Sequence, residues 1–339
     1  MRLILDAMGG DHAPKAMAQG AVDYAKTHPQ HTVVLVGRTA DIQRCLDAEG
    51  GKPVNIEIED APDVIGMAEK IAALKERPND SMNRSSQLVK QGRGDAMVLC
   101  GNTGCSVAAA QMHLRRIPGV RRAAIIGPLP NPKGVTWVCD MGANAVCRPE
   151  HLVQFAEMGA SFIESAYGTT NPRVGVLSIG EEDGKGDGLT GAALGQLRQT
   201  SLNVVGNVEG NDIYTGDVHL VVCDGFTGNV VLKTSEGVFE AILTILKEEI
   251  RRGLRTKLGY AMVKPAFDGL RRRADWRLIG GCFLLGVDGV CIIGHGRSDR
   301  VAVFHALAQA ARCVDGKVLA RLRERIAASS SRDAGAGAA

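Results

Sequence analysis

Short apolar runs recur along the chain, separated by longer segments whose apolar residues return every three or four positions. Leu3–Leu5, Thr32–Gly37, Val54–Ile58, Met97–Leu99 and Ala123–Ile126 read as strands, and Val135–Cys139, Val174–Ile179, Leu202–Gly206, Leu220–Cys223 and Val290–Ile293 continue the series. They are short and mostly unalternating, as strands covered on both faces are. Amphipathic helices are predicted over Pro14–Lys26, Met67–Lys75, Val107–Arg116, Glu150–Ser165, Leu189–Thr200, Val230–Arg252 and Val301–Val314. This alternation predicts a doubly wound α/β fold, its mostly parallel sheet lying between helical layers. Residues 1–328 are expected to form a single domain from which a helical hairpin protrudes at about 238–275. Residues 329–339 are small and polar, and are expected to be a disordered tail.

In open α/β sheets, ligands gather beyond the carboxyl ends of the strands. Six such ends carry glycine mixed with Asn, Asp, Thr, Lys or His: Asp6–His12, Cys100–Gly104, Asp140–Asn144, Gly180–Gly186, Asp224–Asn229 and Gly294–Asp299. Any one of them is an ordinary turn composition. Six along one sheet edge predict a pocket for an anionic, oxygen-rich group, because glycine lets backbone N–H groups turn inward and helix starts add a favourable dipole.

Composition narrows the function classes. The net charge of +3 over 339 residues offers no bulk attraction to nucleic acid. The nine cysteines include no CxxC and sit mostly in apolar runs, which fits free thiols of a reducing compartment. The first apolar run stops at Asp6, too early for a signal sequence, and no stretch approaches the ~18 apolar residues of a membrane span. A cytoplasmic protein is expected, touching membrane only at its surface. Several familiar motifs fail. No G-x-G-x-x-G follows the first strand, and Gly186 stands where a phosphate-binding loop would need Ser or Thr after Lys185. Gly104–Ala108 nearly spells a nucleophile elbow, which leaves Cys105 or Ser106 open as a covalent nucleophile. The eight histidines never pair at metal-ligand spacing.

Taken in order, the loop strings carry a resemblance. They read DAMGGDHAP from Asp6, GNTG from Gly101, DMGAN from Asp140, PEHLVQFAEMG from Pro149, NPRVGVLSIGEEDGKG from Asn171, DGFTGNVVLKTSEG from Asp224, GGCFLLG from Gly280 and GHGRSD from Gly294. Over residues 1 to about 325 the chain resembles the phosphate acyltransferase family of bacterial phospholipid synthesis. The resemblance implies a fold like the isocitrate and isopropylmalate dehydrogenases, a homodimer, and no metal or nucleotide cofactor. It implies transfer of a long acyl group from an acyl carrier protein thioester to inorganic phosphate, with a glycerol-3-phosphate acyltransferase downstream. The family usually has Ala where Cys105 and Cys282 stand here, which argues against a Cys105 nucleophile.

On this alignment Lys185 and Asn229 are the expected catalytic residues. Lys185 would neutralise phosphate or polarise the carbonyl from a glycine-flanked loop, and Asn229 would donate to an oxyanion at a helix start. A solvated loop lysine and a helix cap explain the same two residues without catalysis. Gly9, Gly10, Asp11, Asn102, Thr103, Gly104, Asn144, Gly228 and His295 are expected to bind substrate. From Lys247 to Arg277 the chain carries ten Lys or Arg against four acidic residues. Phe239, Ile242, Leu243, Leu246 and Ile250 form a helical stripe before it, read as dimer core. Leu258–Val263 is an apolar tip between Lys257 and Lys264, followed by Pro265. Arg251, Arg255, Lys257, Leu258, Tyr260, Met262, Val263 and Lys264 are therefore the expected contacts for an anionic membrane surface or the acidic carrier protein. Competing readings are a phosphotransacetylase using acyl-coenzyme A, a dehydrogenase on the same scaffold, and a non-catalytic membrane scaffold for lipid enzymes.

Overall fold

The chain is described by a computed structural model covering residues 1–336. Its strands are β1 (Arg2–Asp6), β2 (Thr32–Gly37), β3 (Ile56–Asp60), β4 (Ala96–Leu99), β5 (Ala124–Asn131) and β6 (Gly134–Cys139). They continue with β7 (Arg173–Leu177), β8 (Asn203–Val208), β9 (Leu220–Val222), β10 (Cys282–Leu285) and β11 (Cys291–Ile293). All belong to one sheet of order β3-β2-β1-β4-β11-β10-β5-β6-β9-β7-β8. The helices are α1 (Lys15–Thr27), α2 (Thr39–Ala48), α3 (Ala73–Glu76), α4 (Ser81–Lys90), α5 (Thr103–Leu114) and α6 (Pro149–Tyr167). After them come α7 (Gly188–Leu197), α8 (Gly225–Arg251), α9 (Leu254–Ala274), α10 (Arg300–Asp315) and α11 (Val318–Ala336).

Side chains alternate through the sheet into two cores. Leu3, Leu5, Val98, Phe283 and Ile292 join one with α1, α6, α10 and α11. Ile4, Met97, Leu99, Leu284 and Ile293 join the other with α4, α5 and the first turns of α8. Burial on both faces is why the central strands carry few polar positions, whereas the edge strand β3, half exposed, reads IEIED.

The sheet is mostly parallel, as expected, but strand direction changes inside it. β10 was not anticipated. It is four residues long, is flanked by Gly280, Gly281 and Gly286, and runs antiparallel between β11 and β5. The decisive reversal is the next one, where β5 and β6 pair antiparallel across the two-residue turn Pro132-Lys133. A turn that short can only join antiparallel strands. As a result β6, β7, β8 and β9 point opposite to β1, β4 and β11. The six glycine loops therefore do not share one edge. Those after β1, β4 and β11 lie at one, and those after β6, β7 and β9 at the other.

Other expectations also shift. The predicted helix Met67–Lys75 shrinks to α3 and preceding turns, and the strand predicted at Val54–Ile58 starts at Ile56. The chain turns between α8 and α9 at Arg252-Gly253, where the Gly253 N–H donates to the Thr256 hydroxyl at 3.2 Å. Leu258–Val263 therefore lies within α9 rather than at the tip of the hairpin, and Pro265 lies inside the same helix. The stretch read as a tail from 329 is helical through Ala336, and residues 337–339 lie outside the described residues.

Two predictions follow from this packing. Gly228 of α8 lies against the Asp140 carbonyl, so a Cβ there has no room. Gly228→Ala should destabilise the fold by about 2 kcal/mol. Gly195 on α7 has open space, so Gly195→Ala should stabilise by about 0.5–1 kcal/mol. Thermal melts that rank the two the other way would refute the seating of α8. Separately, Asp6 is fully buried beneath its glycine loop, accepts from the Met8 amide at 3.0 Å, and has its carboxyl pushed up to about 6 by burial. A raised carboxyl favours the folded state fully below its unfolded pKa, and that contribution fades as pH climbs through the folded value. Relative to Asp6→Asn, the native chain should lose about 1 kcal/mol of stability between pH 5 and pH 7. Melting-temperature differences that stay flat over that window would show that Asp6 does not titrate there.

Candidate active site

Two carboxylates seat the start of α8. Asp224 caps it, accepting from the Thr227 amide at 2.9 Å and the Thr227 hydroxyl at 2.7 Å. Asp140, buried at the end of β6, accepts from the amides of Ile125, Gly142, Ala143 and Asn144 at 2.8 to 3.1 Å. Burial nonetheless pushes its carboxyl above the usual carboxylate range. The Gly225 N–H donates to the Asn144 carbonyl at 2.7 Å. So anchored, α8 presents Asn229, Lys233 and Glu236 on one face, at helical spacings of four and three.

That face walls a cavity of about 320 Å³. The facing wall is Asp11, Thr103 and the run Gly294–Ser298, from the loops after β1, β4 and β11. A short 3-10 turn at Trp276–Leu278, leaving α9, forms the third side. Although the loops divide between two sheet edges, the pocket still forms, because α8 starts at one edge and crosses the sheet face to the loops of the other.

The rim is charged. Lys233 Nζ is 2.9 Å from Glu236 Oε2, Arg297 reaches Glu240 at 3.1 Å, and His295 Nε2 lies 3.8 Å from Glu236 Oε1. The Arg297 amide donates to His295 Nδ1 at 3.1 Å, so the neutral ring carries its proton on Nε2. Burial lowers the His295 pKa, with Lys233 adding to the effect, so the ring at neutral pH is a fixed N–H donor. Trp276 stands beside it, ring centroids 5.1 Å apart. Beneath the rim the floor is apolar, formed by Ile125, Met141, Leu232, Cys282 and Ile293. Among the described residues no group of His, Cys, Asp or Glu is arranged to hold a metal ion, and no helix is long and apolar enough to cross a membrane.

The sequence-derived residues divide accordingly. Asn229, Asp11, Thr103 and His295 line the cavity. Gly10, at φ 101, brings its loop against the Gly296 carbonyl, and Gly9 lets the β1 and β4 loops touch at Gly101. Asn102 and Asn144 are structural. Asn102 caps α5 through the Cys105 amide and donates to the Met67 carbonyl, while Asn144 donates to Asp140 and to the Ala123 carbonyl. Gly104 sits in the first turn of α5, and Gly228 serves packing. Cys105 and Ser106 are buried with no exposed surface, so neither is an accessible nucleophile, and burial holds the Cys105 thiol above its usual pKa. All nine cysteines are unpaired. Lys185 lies on an exposed loop after β7, its amide donating to the Glu182 carbonyl, and lines no part of this cavity. The pocket's own lysine is Lys233, which the sequence reading passed over. Its signal was present: Lys233 and Glu236 continue the face that Asn229 begins. Trp276 and Arg277 had no such signal, since only the fold brings that turn to the rim.

The family model described as "Fatty acid synthesis protein" matches residues 1–321. The phosphate acyltransferase of Myxococcus xanthus is 46% identical over 330 residues, covering 95% of this chain and 92% of the relative. That of Pelotomaculum thermopropionicum is 42% identical over 337 residues, covering 99% and 98%. Among solved structures, a phosphotransacetylase from Streptococcus pyogenes superposes with a TM-score of 0.61 at 15% identity, over 93% of this chain and 94% of that one. A 4-hydroxythreonine-4-phosphate dehydrogenase from Klebsiella pneumoniae gives 0.57 at 12% identity, over 93% and 99%. These two similarities establish a shared α/β fold. Nearly complete coverage at more than 40% identity establishes more, and the chain belongs to the phosphate acyltransferase family.

Proposed function

We propose that this chain transfers a fatty acyl group from an acyl carrier protein thioester to inorganic phosphate, giving an acyl phosphate for phospholipid synthesis. The observation that carries this reading is the division of one cavity into a charged rim, in which Lys233, Arg277 and Arg297 stand beside Asp11 and Glu236, and an apolar floor. Phosphate needs the first, and a fatty chain needs the second. Phosphate dianion held by Lys233 and Arg297 attacks the thioester carbonyl. The Asn229 amide and the His295 Nε2–H are the donors positioned for the oxygen that becomes negative. Collapse of the tetrahedral species breaks the C–S bond and returns the carrier thiolate. Phosphate is already nucleophilic and the thioester already activated, so positioning and oxyanion stabilisation suffice without a covalent enzyme intermediate.

Lys185 enters this scheme through a homodimer. Exposed Ile179 precedes its loop, and Phe226, Val230, Val238, Ile242 and Ile245 form an exposed apolar stripe along α8. The two share the sheet edge at which β7 and β9 end. A second copy covering that stripe would draw the Lys185 loop into the interface, in reach of the other copy's cavity.

α8 and α9 are read as the protruding hairpin. Leu254, Leu258 and Met262 recur every fourth residue along α9, each at least 69% exposed, with Tyr260 and Val263 beside them. Arg251, Arg255, Lys257 and Lys264 flank this stripe. An apolar face edged by cations suits shallow insertion at an anionic bilayer, where a lipid-partitioning product would pass to a glycerol-3-phosphate acyltransferase. The same cations suit an acidic carrier protein.

Three measurements test the proposal. Purified protein should release carrier thiol from acyl carrier protein only when phosphate is supplied, and faster than from acyl-coenzyme A; release without phosphate would defeat it. Lys185→Ala and Asn229→Ala should each lower turnover at least tenfold, near the ~3 kcal/mol of a lost oxyanion donor for the latter. Mixing the two inactive variants should then restore activity through heterodimers, and mixtures that stay inactive would place both residues in the same copy's site or remove Lys185 from the reaction. Replacing Leu258 and Met262 together with Glu should release the protein from anionic vesicles; undiminished sedimentation with vesicles would remove α9 from membrane contact.

A further inference from the structure

A second cavity, of about 210 Å³, lies next to the first. Pro128 of β5 and Ile279 line both. Beyond these two residues the second cavity is walled by Val135, Trp137, Tyr167, Leu278 and Ala308. Helix α10 runs beside both spaces. Ala302 and Ala306 face the first, and His305, Ala308, Gln309 and Arg312 the second. Ala302 to Arg312 spans about 15 Å of helix, so the two cavities together follow α10 over that distance.

The segment between them is held in place. Residues 275–281 cross from α9 to β10 as a strap. Arg277 is tied to Asp275 and, at 3.1 Å, to Asp299, while the Gln309 side chain donates to the Gly281 carbonyl at 3.2 Å. Gly280, at φ 89, lets the strap lie directly on α10, where a side chain would meet the His305 carbonyl. The strap therefore borders both cavities, and its Ile279 lines each of them. At the outer end, exposed Arg312 stacks its guanidinium over the Tyr167 ring at 5.1 Å, which leaves the ring and Trp137 as the inner wall.

From this geometry we propose that the second cavity receives the distal part of the fatty acyl chain, which passes between Pro128 and Ile279 and runs along α10 toward Trp137. The proposal rests on the acyl-transfer reading of the first cavity and adds where the chain lies and what measures its length. The carboxyl end stays at the rim with Asn229 and Lys233. A short chain ends within the first cavity, and only a long one gains contacts with Trp137, Leu278 and Ala308. Ile279 at the junction and Ala308 beyond it are then specificity-determining residues.

The chain has two tryptophans, one in each cavity, which makes the path measurable. With Trp276→Phe, Trp137 is the sole tryptophan, excited selectively above the tyrosine absorption band. Stearic acid spin-labelled at carbon 16 should quench it several-fold more strongly than stearic acid labelled at carbon 5, and both signals should fall when unlabelled palmitoyl phosphate competes. Equal quenching, or stronger quenching from carbon 5, would overturn the path. Independently, Ala308→Trp should lower the ratio of palmitoyl to octanoyl transfer at least tenfold. An unchanged ratio would overturn the assignment, and loss of both activities would be resolved by the quenching result, which needs no turnover. If the native protein forms no acyl phosphate from either donor, the acyl-transfer reading itself fails, an outcome distinct from a native enzyme whose chain preference ignores the second cavity.

Discussion

Asp140 is buried at the point where β6 ends, and its two carboxylate oxygens gather three backbone amides and the Asn144 side-chain amide of the following turn together with the Ile125 amide of β5. Ionic acceptors make the stronger hydrogen bonds, and burying a carboxylate is tolerable only when it is satisfied in this way. The turn so made is the platform on which Gly228 rests and to which Gly225 is bonded. The direction of α8 follows from that seat, and with it the positions of Asn229, Lys233 and Glu236. The same helix then runs on to meet α9. One buried carboxylate thus connects the edge of the sheet, the cavity-lining face of a helix, and the surface proposed to meet the membrane.

The cavity's electrostatics follow a related logic. Its cations are already paired: Lys233 with Glu236, Arg297 with Glu236 and Glu240, Arg277 with Asp275 and Asp299. Pairing fixes long side chains in place and balances their charge, so an arriving phosphate would have to share these donors with the carboxylates that now hold them. His295 is different. Its Nδ1 is occupied by a backbone amide, and burial keeps the ring neutral, so it contributes a directed N–H rather than a charge. Such a donor is already oriented when charge develops on a carbonyl oxygen, which is the condition under which oxyanion stabilisation is most effective.

Much of the site was legible residue by residue. Asn229, Asp11, Thr103 and His295 were marked by glycine-rich strand ends, and all four reach the cavity. Asn102 and Asn144 carry the same local composition yet spend their side chains on backbone groups, because Asn caps and turns look identical to ligand loops in one dimension. Lys185 and Lys233 differ in the opposite sense. The lysine in the conspicuous loop is exposed, and the lysine in a plain helical stretch faces the pocket. Only the start point and direction of α8 distinguish them.

The sequence by itself determined the layered α/β class, because strands buried on both faces must be apolar throughout and their helices must bury one stripe. It also determined the family, through ordered strings too long to arise by chance, and which turns need glycine. Tertiary structure decided which loops meet. The two-residue turn at Pro132-Lys133 reverses half of the sheet, sending three glycine loops to the far edge, and α8 returns one of their faces to the near one. Hydrophobic periodicity reports how a segment is buried, whereas strand direction is set by pairing between segments far apart in the chain, so the convergence of the site appears only once the sheet is assembled.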